Sequence, residues 1–401
     1  MAITTASLKI GDAEHLLRCE RLLEHIQAEG VSGVVLFDRG YILYYTGFAF
    51  IPTERPMAFV MNSRGERGMF VPRLEAEHAA ANALVDRVEH YPEYPGDPHP
   101  LEVLRGMLDA MGITGEIGAD DDGYPCVFGY QGPSLSDLTG AQVRTVRRFI
   151  EEQMMIKSPA EIALIRESIH WGNLAHTLLQ RYTRVGVTET EVSQRASAEA
   201  TRAMLDAIGP VYRAQALYGE GGAGAGYRGQ IGRNSAIPHA LANNITFQPG
   251  DVLVTGAGAS MWGYESELER TMIIGTPTDE QRRFFDHMCA LQETAFAALQ
   301  PGARCSDVDR AVRAYFEQHD LMPYWKHHSG HAIGLRYHEG PFLDTGDHTE
   351  LKPGMVFTVE PGLYVPGLGG FRHSDTVLVT DTGLEVMTYY PRDLESLTIP
   401  V

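Results

Sequence analysis

Two distant stretches of the chain repeat one pattern. FQPGDVLVTGAG at 247–258 matches LKPGMVFTVEPG at 351–362, with Gly250 opposite Gly354. Upstream, GVTETEV at 186–192 resembles GARCSDV at 302–308, and each follows one apolar helical pattern and opens another. Two matches in the same order mark a duplicated helix, helix, strand unit, whose copies pack together to bury their apolar faces. The later part of the chain must therefore fold about an internal pseudo-two-fold axis. In this register Gly256 faces Glu360, so one half offers a carboxylate where the other offers nothing.

Ahead of the duplication the pattern changes. AEHLLRCERLLEHIQAEG has helical spacing, while GVVLF, YILYYTGF, PMAFVMN and RGMFVP read as short strands. A helix, PLEVLRGMLDAMG, and a strand, GEIGAD, follow. Ser158, Pro159 and Glu161 form a capping-box pattern that opens a long helix. At 401 residues the chain is too long for one ordinary core. It divides near Lys157 into an N-terminal α/β domain over 1–156 and a C-terminal domain over 157–401.

Fifty-two acidic residues against thirty-three basic ones give a net charge of −19, which argues against nucleic acid or an anionic membrane as partner. The start lacks a basic segment followed by an apolar run, and nowhere do eighteen apolar residues run together, so a cytoplasmic protein is expected. Cys19, Cys126, Cys289 and Cys305 are scattered without a CxxC pair and read as reduced filler.

Chemistry-bearing residues gather in three places. HHSGHAIGLRYHEGP supplies His327, His328, His331 and His338, with glycine beside His331 to admit a ligand close to the backbone. His239 in SAIPHALANN is the rough counterpart of His338 in the other repeat. Any one of these could be a satisfied structural histidine, but their clustering favours a site. In GYESELERT, Glu265, Glu267 and Glu269 alternate, which predicts three acids on one strand face. A solvated edge is the plain alternative; the apolar runs on either side argue for a central strand, where buried acids need a metal, a basic partner or a cationic substrate. Glu360 ends the apolar run MVFTV and precedes Pro361 and Gly362, again a site-like setting.

These motifs, with LYYTGF, MMIKSPAEIALIR and GGFRHSDTVLVT, resemble the pita-bread hydrolases: aminopeptidase P, Xaa-Pro dipeptidases, methionine aminopeptidases and creatinase. The resemblance spans nearly the whole chain. It implies an α/β protein with a small N-terminal α/β domain and a C-terminal pita-bread α+β domain carrying an internal pseudo-two-fold repeat. In the family's metallopeptidases Asp, Asp, His, Glu and Glu hold two divalent cations. Carried over, these positions are Gly256, Glu267, His331, Glu360 and Ser374, so two ligands are missing. Two dications need several anionic oxygens to offset their repulsion, so the loss should abolish a dinuclear site.

LERT at 268–271, ERPMAF at 54–59 and PGARCSD at 301–307 resemble the metal-free branch typified by creatinase, which also includes ectoine hydrolase. That likeness implies a metal-independent hydrolase of non-peptide C–N bonds in a small amidine, guanidine or amide bearing a carboxylate, with no cofactor. His239 would shuttle the proton, Glu269 and Glu360 would grip the cationic group, and His331 and His338 would line the pocket. Arg55, Glu265 and Glu267 would bind substrate, with Arg55 reaching across a homodimer. The alternatives are a metal-dependent Xaa-Pro dipeptidase or aminopeptidase, a lyase with a single ion (Mn, Zn or Fe) on Glu267, His331 and Glu360, and a silent binding protein. The Gly-rich segment 219–234 reads as a pocket loop.

Overall fold

The computed structural model describes residues 8–125, 132–209 and 221–401. Cys126 and the first two residues of the Gly-rich segment lie outside the described residues. Two compact units emerge, one over Ile10–Met154 and one built on Met155–Val401.

In the N-terminal unit, strands β1 (Gly33–Leu36), β2 (Ala58–Asn62), β3 (Arg67–Pro72), β4 (Arg87–Tyr91), β5 (Ile117–Ala119) and β6 (Val143–Thr145) form one sheet in the order β4-β3-β2-β1-β5-β6. β1 is buried along its whole length, which is why it reads as an uninterrupted apolar run. The helix Pro100–Ala110 sets Leu101, Leu104, Met107 and Leu108 into a core shared with Val35, Val60, Phe70 and Ile117. YILYYTGF, expected as a strand, is instead most of a helix over Arg39–Thr46. Local capping decides it: the Asp38 carboxylate accepts from the Gly40 and Tyr41 amides, and Gly47, at φ 69°, closes the helix in a left-handed turn. Burial on all sides had removed the helical periodicity from the sequence.

The C-terminal unit opens with the capping box at Ser158 and Glu161, which starts the helix Pro159–Tyr182. Its counterpart in the second repeat, Asp279–Ala298, opens with a capping box at Thr278 and Gln281. Each is followed by a second helix, Glu189–Ile208 and Cys305–Gln318, at the two places where the sequence repeats.

The strands of this unit are β7 (Ala223–Gly226), β8 (Val252–Val254), β9 (Gly256–Ala259), β10 (Leu268–Glu269), β11 (Thr271–Ile274), β12 (Gly330–Ala332), β13 (Glu339–Leu343), β14 (Val356–Val359), β15 (Gly362–Val365), β16 (Gly369–Arg372), β17 (Ser374–Thr380), β18 (Gly383–Val386) and β19 (Thr398–Ile399). The main sheet runs β13-β12-β14-β17-β10-β9-β7, with β18 on β17. Strands β7, β9 and β10 from the first repeat meet β17, β14 and β12 from the second at the antiparallel β10–β17 pair. The pseudo-symmetry axis thus passes beside Glu269 and Ser374, which are register partners there. The helix Pro159–Tyr182 crosses β9 closely: a Cβ on Gly172 would fall 2.8 Å from Gly258 Cα, so only glycine allows the approach. No helix among the described residues is long and apolar enough to cross a membrane.

Candidate metal centre

Three strands bring the acids and the histidine together. β10 lies between β9 and β17, with Leu268 opposite Ala257 and Glu269 opposite Ser374. Glu267 is pinned by its backbone amide, which donates to Thr376 Oγ1 at 2.9 Å, and by Ser374 Oγ, which donates to Glu267 Oε1 at 2.5 Å. His331 sits on β12 and Glu360 follows β14; Thr358 Oγ1 accepts from the His331 amide at 3.2 Å and so ties the two strands. One ligand atom from each of Glu267, His331 and Glu360 lies within 4.8 Å of the others.

The imidazole of His331 is set for ligation. Its Nδ1 donates to the Ala332 carbonyl at 3.0 Å, which leaves the lone pair on Nε2. Nε2 lies 3.3 Å from Glu360 Oε1, yet it is buried without a hydrogen-bond partner. Burial would lower the His331 pKa, but Glu360 and Glu267 outweigh it and raise the value to about 9. Burial, with Glu360 and Glu269 beside it, pushes Glu267 up to about 7. Glu360 is held well below the usual carboxylate range, because His331 and Arg372 more than offset its burial. Two buried carboxylates and one imidazole in this arrangement call for a positive charge, and a proton on His331 fills that place when no metal does.

Glu269 behaves differently. Arg372 holds it from both sides of the carboxylate, with Nη2 on Oε1 at 2.8 Å and Nε on Oε2, and Arg228 Nη2 adds a third bond to Oε1 at 2.8 Å. Arg372 Nη1 in turn donates to the Tyr364 hydroxyl at 2.8 Å, which His327 Nε2 meets at 2.7 Å. Two arginines occupy Glu269, so it is a charge-balanced side chain and not an open ligand. A Cβ built on Gly256 would fall 3.7 Å from Glu269 Oε1, so the glutamate reaches into the space above the glycine.

The other expected residues scatter. The His338 ring stacks on His331 with centroids 3.9 Å apart; partial burial, then the His331 charge and more weakly His239, lower its pKa to about 4. His239 is exposed, in a turn. Glu265 does not join the acids on one face, because β10 begins only at Leu268 and a tight Met261–Tyr264 turn precedes it. Glu265 instead helps line a cavity of about 230 Å³ with Gly222, Gly224, Gly258 and Tyr337. Arg55, in the N-terminal unit, is paired with Glu93 and Glu54, both at 2.7 Å. Arg372 and Arg228 were not foreseen, although Arg372 stands in the GGFRHSD motif.

The donor set fits one divalent cation. It does not fit two: Gly256 and Ser374 bring no carboxylate, and Glu269 is committed to guanidinium groups.

A model of the creatinase/prolidase N-terminal domain matches residues 18–131, and one of metallopeptidase family M24 matches 163–381. The Xaa-Pro dipeptidase of Pyrococcus furiosus is 27% identical over 94% of this chain and 99% of its own. The solved Xaa-Pro dipeptidase of Bacillus anthracis superposes with a TM-score of 0.80 at 24% identity, covering 96% of this chain and 100% of that one. Escherichia coli aminopeptidase P, solved with substrate, gives 0.70 at 21% identity, covering 95% of each. These two structures bear on the fold, which is the pita-bread architecture behind a small N-terminal α/β domain.

The match corrects three expectations: the metal-independent reaction, the creatinase-like substrate and the absence of a cofactor. The physical reason lies in the site. Loss of two acids empties the second cation's place, but Glu267, His331 and Glu360 still converge, with a lone pair buried among them. The broader expectation of a hydrolase stands. The chain belongs to metallopeptidase family M24.

Proposed function

We propose that this protein is a metal-dependent hydrolase of the Xaa-Pro dipeptidase and aminopeptidase class that works with one divalent cation. Glu267, His331 and Glu360 would hold the ion, and their two oxygens and one nitrogen suit manganese or zinc. The observation that carries this is the convergence of those three donors around an unpartnered, buried His331 Nε2. The relatives named above support the substrate class, a small peptide with proline after the scissile bond.

A divalent cation there supplies Lewis-acid polarisation of a carbonyl and activation of water at neutral pH. The chain provides the rest. Ala332 fixes the His331 tautomer, and Ser374 and Thr376 hold Glu267 in place. The exposed His239 offers an imidazole for proton transfer to the leaving nitrogen, while His338 stacks on His331. The Arg372–Glu269 pair sets fixed charges beside Glu360, with Arg372 Nε 3.8 Å from Glu360 Oε2.

The test is hydrolysis of Ala-Pro and Gly-Pro by protein treated with EDTA, then resupplied with Mn²⁺ or Zn²⁺. Activity should vanish and return. Cleavage that survives thorough chelation overturns the proposal, as does failure of every proline dipeptide in metal-loaded protein.

A further inference from the structure

Lys157 and Glu339 form an ion pair inside the C-terminal unit, with Lys157 Nζ 2.6 Å from Glu339 Oε2 and side chains 1% and 6% exposed. A buried pair of this kind adds little net stability, because desolvation of the two charges offsets their attraction. What it fixes is position. The other oxygen, Glu339 Oε1, accepts from the Arg336 amide at 2.9 Å, so one carboxylate clamps the hairpin between β12 and β13 to the residue just ahead of the helix Pro159–Tyr182. Lys157 is itself held, its amide donating to the Gly354 carbonyl at 2.9 Å. The hairpin closes over the lysine only because residue 334 is glycine: a Cβ there would fall 2.7 Å from Lys157 Cε and 3.2 Å from Glu339 Oε2.

The clamp lies beside the contacts that orient His331. Strand β13 is an edge of the main sheet, paired only with β12, and its register slips next to the ligand: His331 faces Phe342, but Ala332 faces Glu339. Gly340 and Pro341 are left over in a bulge, a device that re-aims side chains next to a site. With backbone bonds on one flank only, such a strand gains from a side-chain anchor, and Glu339 supplies it. Its register partner Ala332 gives the carbonyl that accepts from His331 Nδ1 at 3.0 Å. Its chain neighbour His338 lays its ring on His331, with centroids 3.9 Å apart. Both contacts that set the imidazole are thus one step from the buried pair.

We propose that Lys157 and Glu339 are positioning residues for the metal ligand, their buried pair holding the hairpin that aims His331 Nε2 at the cation. This rests on the single-cation reading above and adds to it two residues that act through His331. Loss of a group that orients a metal ligand weakens metal binding by about 10- to 100-fold.

The experiment is calorimetric titration with manganese of full-length protein stripped of metal by EDTA, with the urea midpoint of each variant measured alongside. Lys157→Met and Glu339→Gln each leave one buried charge unpaired, and each should lose both stability and affinity. The double variant separates the two effects. With both charges gone its urea midpoint should recover toward wild type, while its manganese dissociation constant stays about tenfold or more weaker. A pair that served stability alone would give a double variant that regains wild-type affinity along with its midpoint, and that result overturns the proposal. Glu339→Asp keeps the charges but withdraws the carboxylate by one methylene; it should also weaken manganese binding, and it decides the matter if the double variant does not fold. Wild-type affinity in that variant overturns the proposal too. A wild type that takes up no manganese would overturn the cation reading, and this inference with it.

Discussion

Glu269 and Arg372 meet through a two-point bond inside the sheet, with side chains 2% and 4% exposed. Removing one partner of such a pair leaves the other charged and dry, which costs about 3–5 kcal/mol. Glu269→Ala should therefore shift the urea midpoint of the C-terminal unit strongly downward, and Glu269→Gln, which keeps an acceptor, should shift it less. A Glu269→Ala protein as stable as wild type would show that the pair is not built as described.

The row Gly256, Glu269 and Ser374 runs across three neighbouring strands, and its outer positions are the two where the family resemblance implies ligands. The space over Gly256 accepts a side chain at ordinary contact distance, 3.7 Å from Glu269 Oε1. Gly256→Asp, Glu269→Thr and Ser374→Glu together should raise manganese content above that of wild type, toward a second ion per chain. Equal content in the triple variant and wild type would mean that something other than these three side chains limits the site.

Acid should unfold the C-terminal unit through two buried histidines. His373 Nδ1 accepts from the Thr271 amide at 3.1 Å and its Nε2 lies 3.1 Å from the Arg392 carbonyl, while His176 Nε2 bonds Thr255 Oγ1 at 2.8 Å. Burial and the nearby Arg270 lower both pKa values to about 3, from an unfolded value of 6.5. A depressed folded pKa gives stability that is full above pH 6.5 and is lost as pH falls toward 3. Each group should cost about 1.4 kcal/mol per pH unit in that window. Thermal melts between pH 7.5 and pH 5 should show this decline, and His176→Asn should flatten it; a slope unchanged in the variant would contradict the assignment.

Much of this was legible in the sequence for a physical reason. The repeat could be read because each copy leads through a Pro-Gly turn into an apolar strand, at Gly250 before Val252–Val254 and at Gly354 before Val356–Val359, and because each second helix opens in a matching segment, at 186–192 and 302–308. Glu267, His331 and Glu360 could be singled out because acids and histidine next to apolar runs are costly unless used. The helix at Arg39–Thr46 could not, since a segment buried all round loses its 3.6 period. Nor could the fate of Glu269: strand alternation places a side chain on a face but does not say which partner from residues 228 or 372 will claim it. Counting absent ligands led to the expectation of no metal, because that count ignores how closely the remaining three donors converge.

Native mass spectrometry of protein loaded with manganese and freed of excess ion tests the central claim most directly. One ion per chain in wild type, and none in His331→Ala of intact fold, is the predicted result. Two ions per chain in wild type, or none at saturating manganese, would contradict a single-cation centre on Glu267, His331 and Glu360.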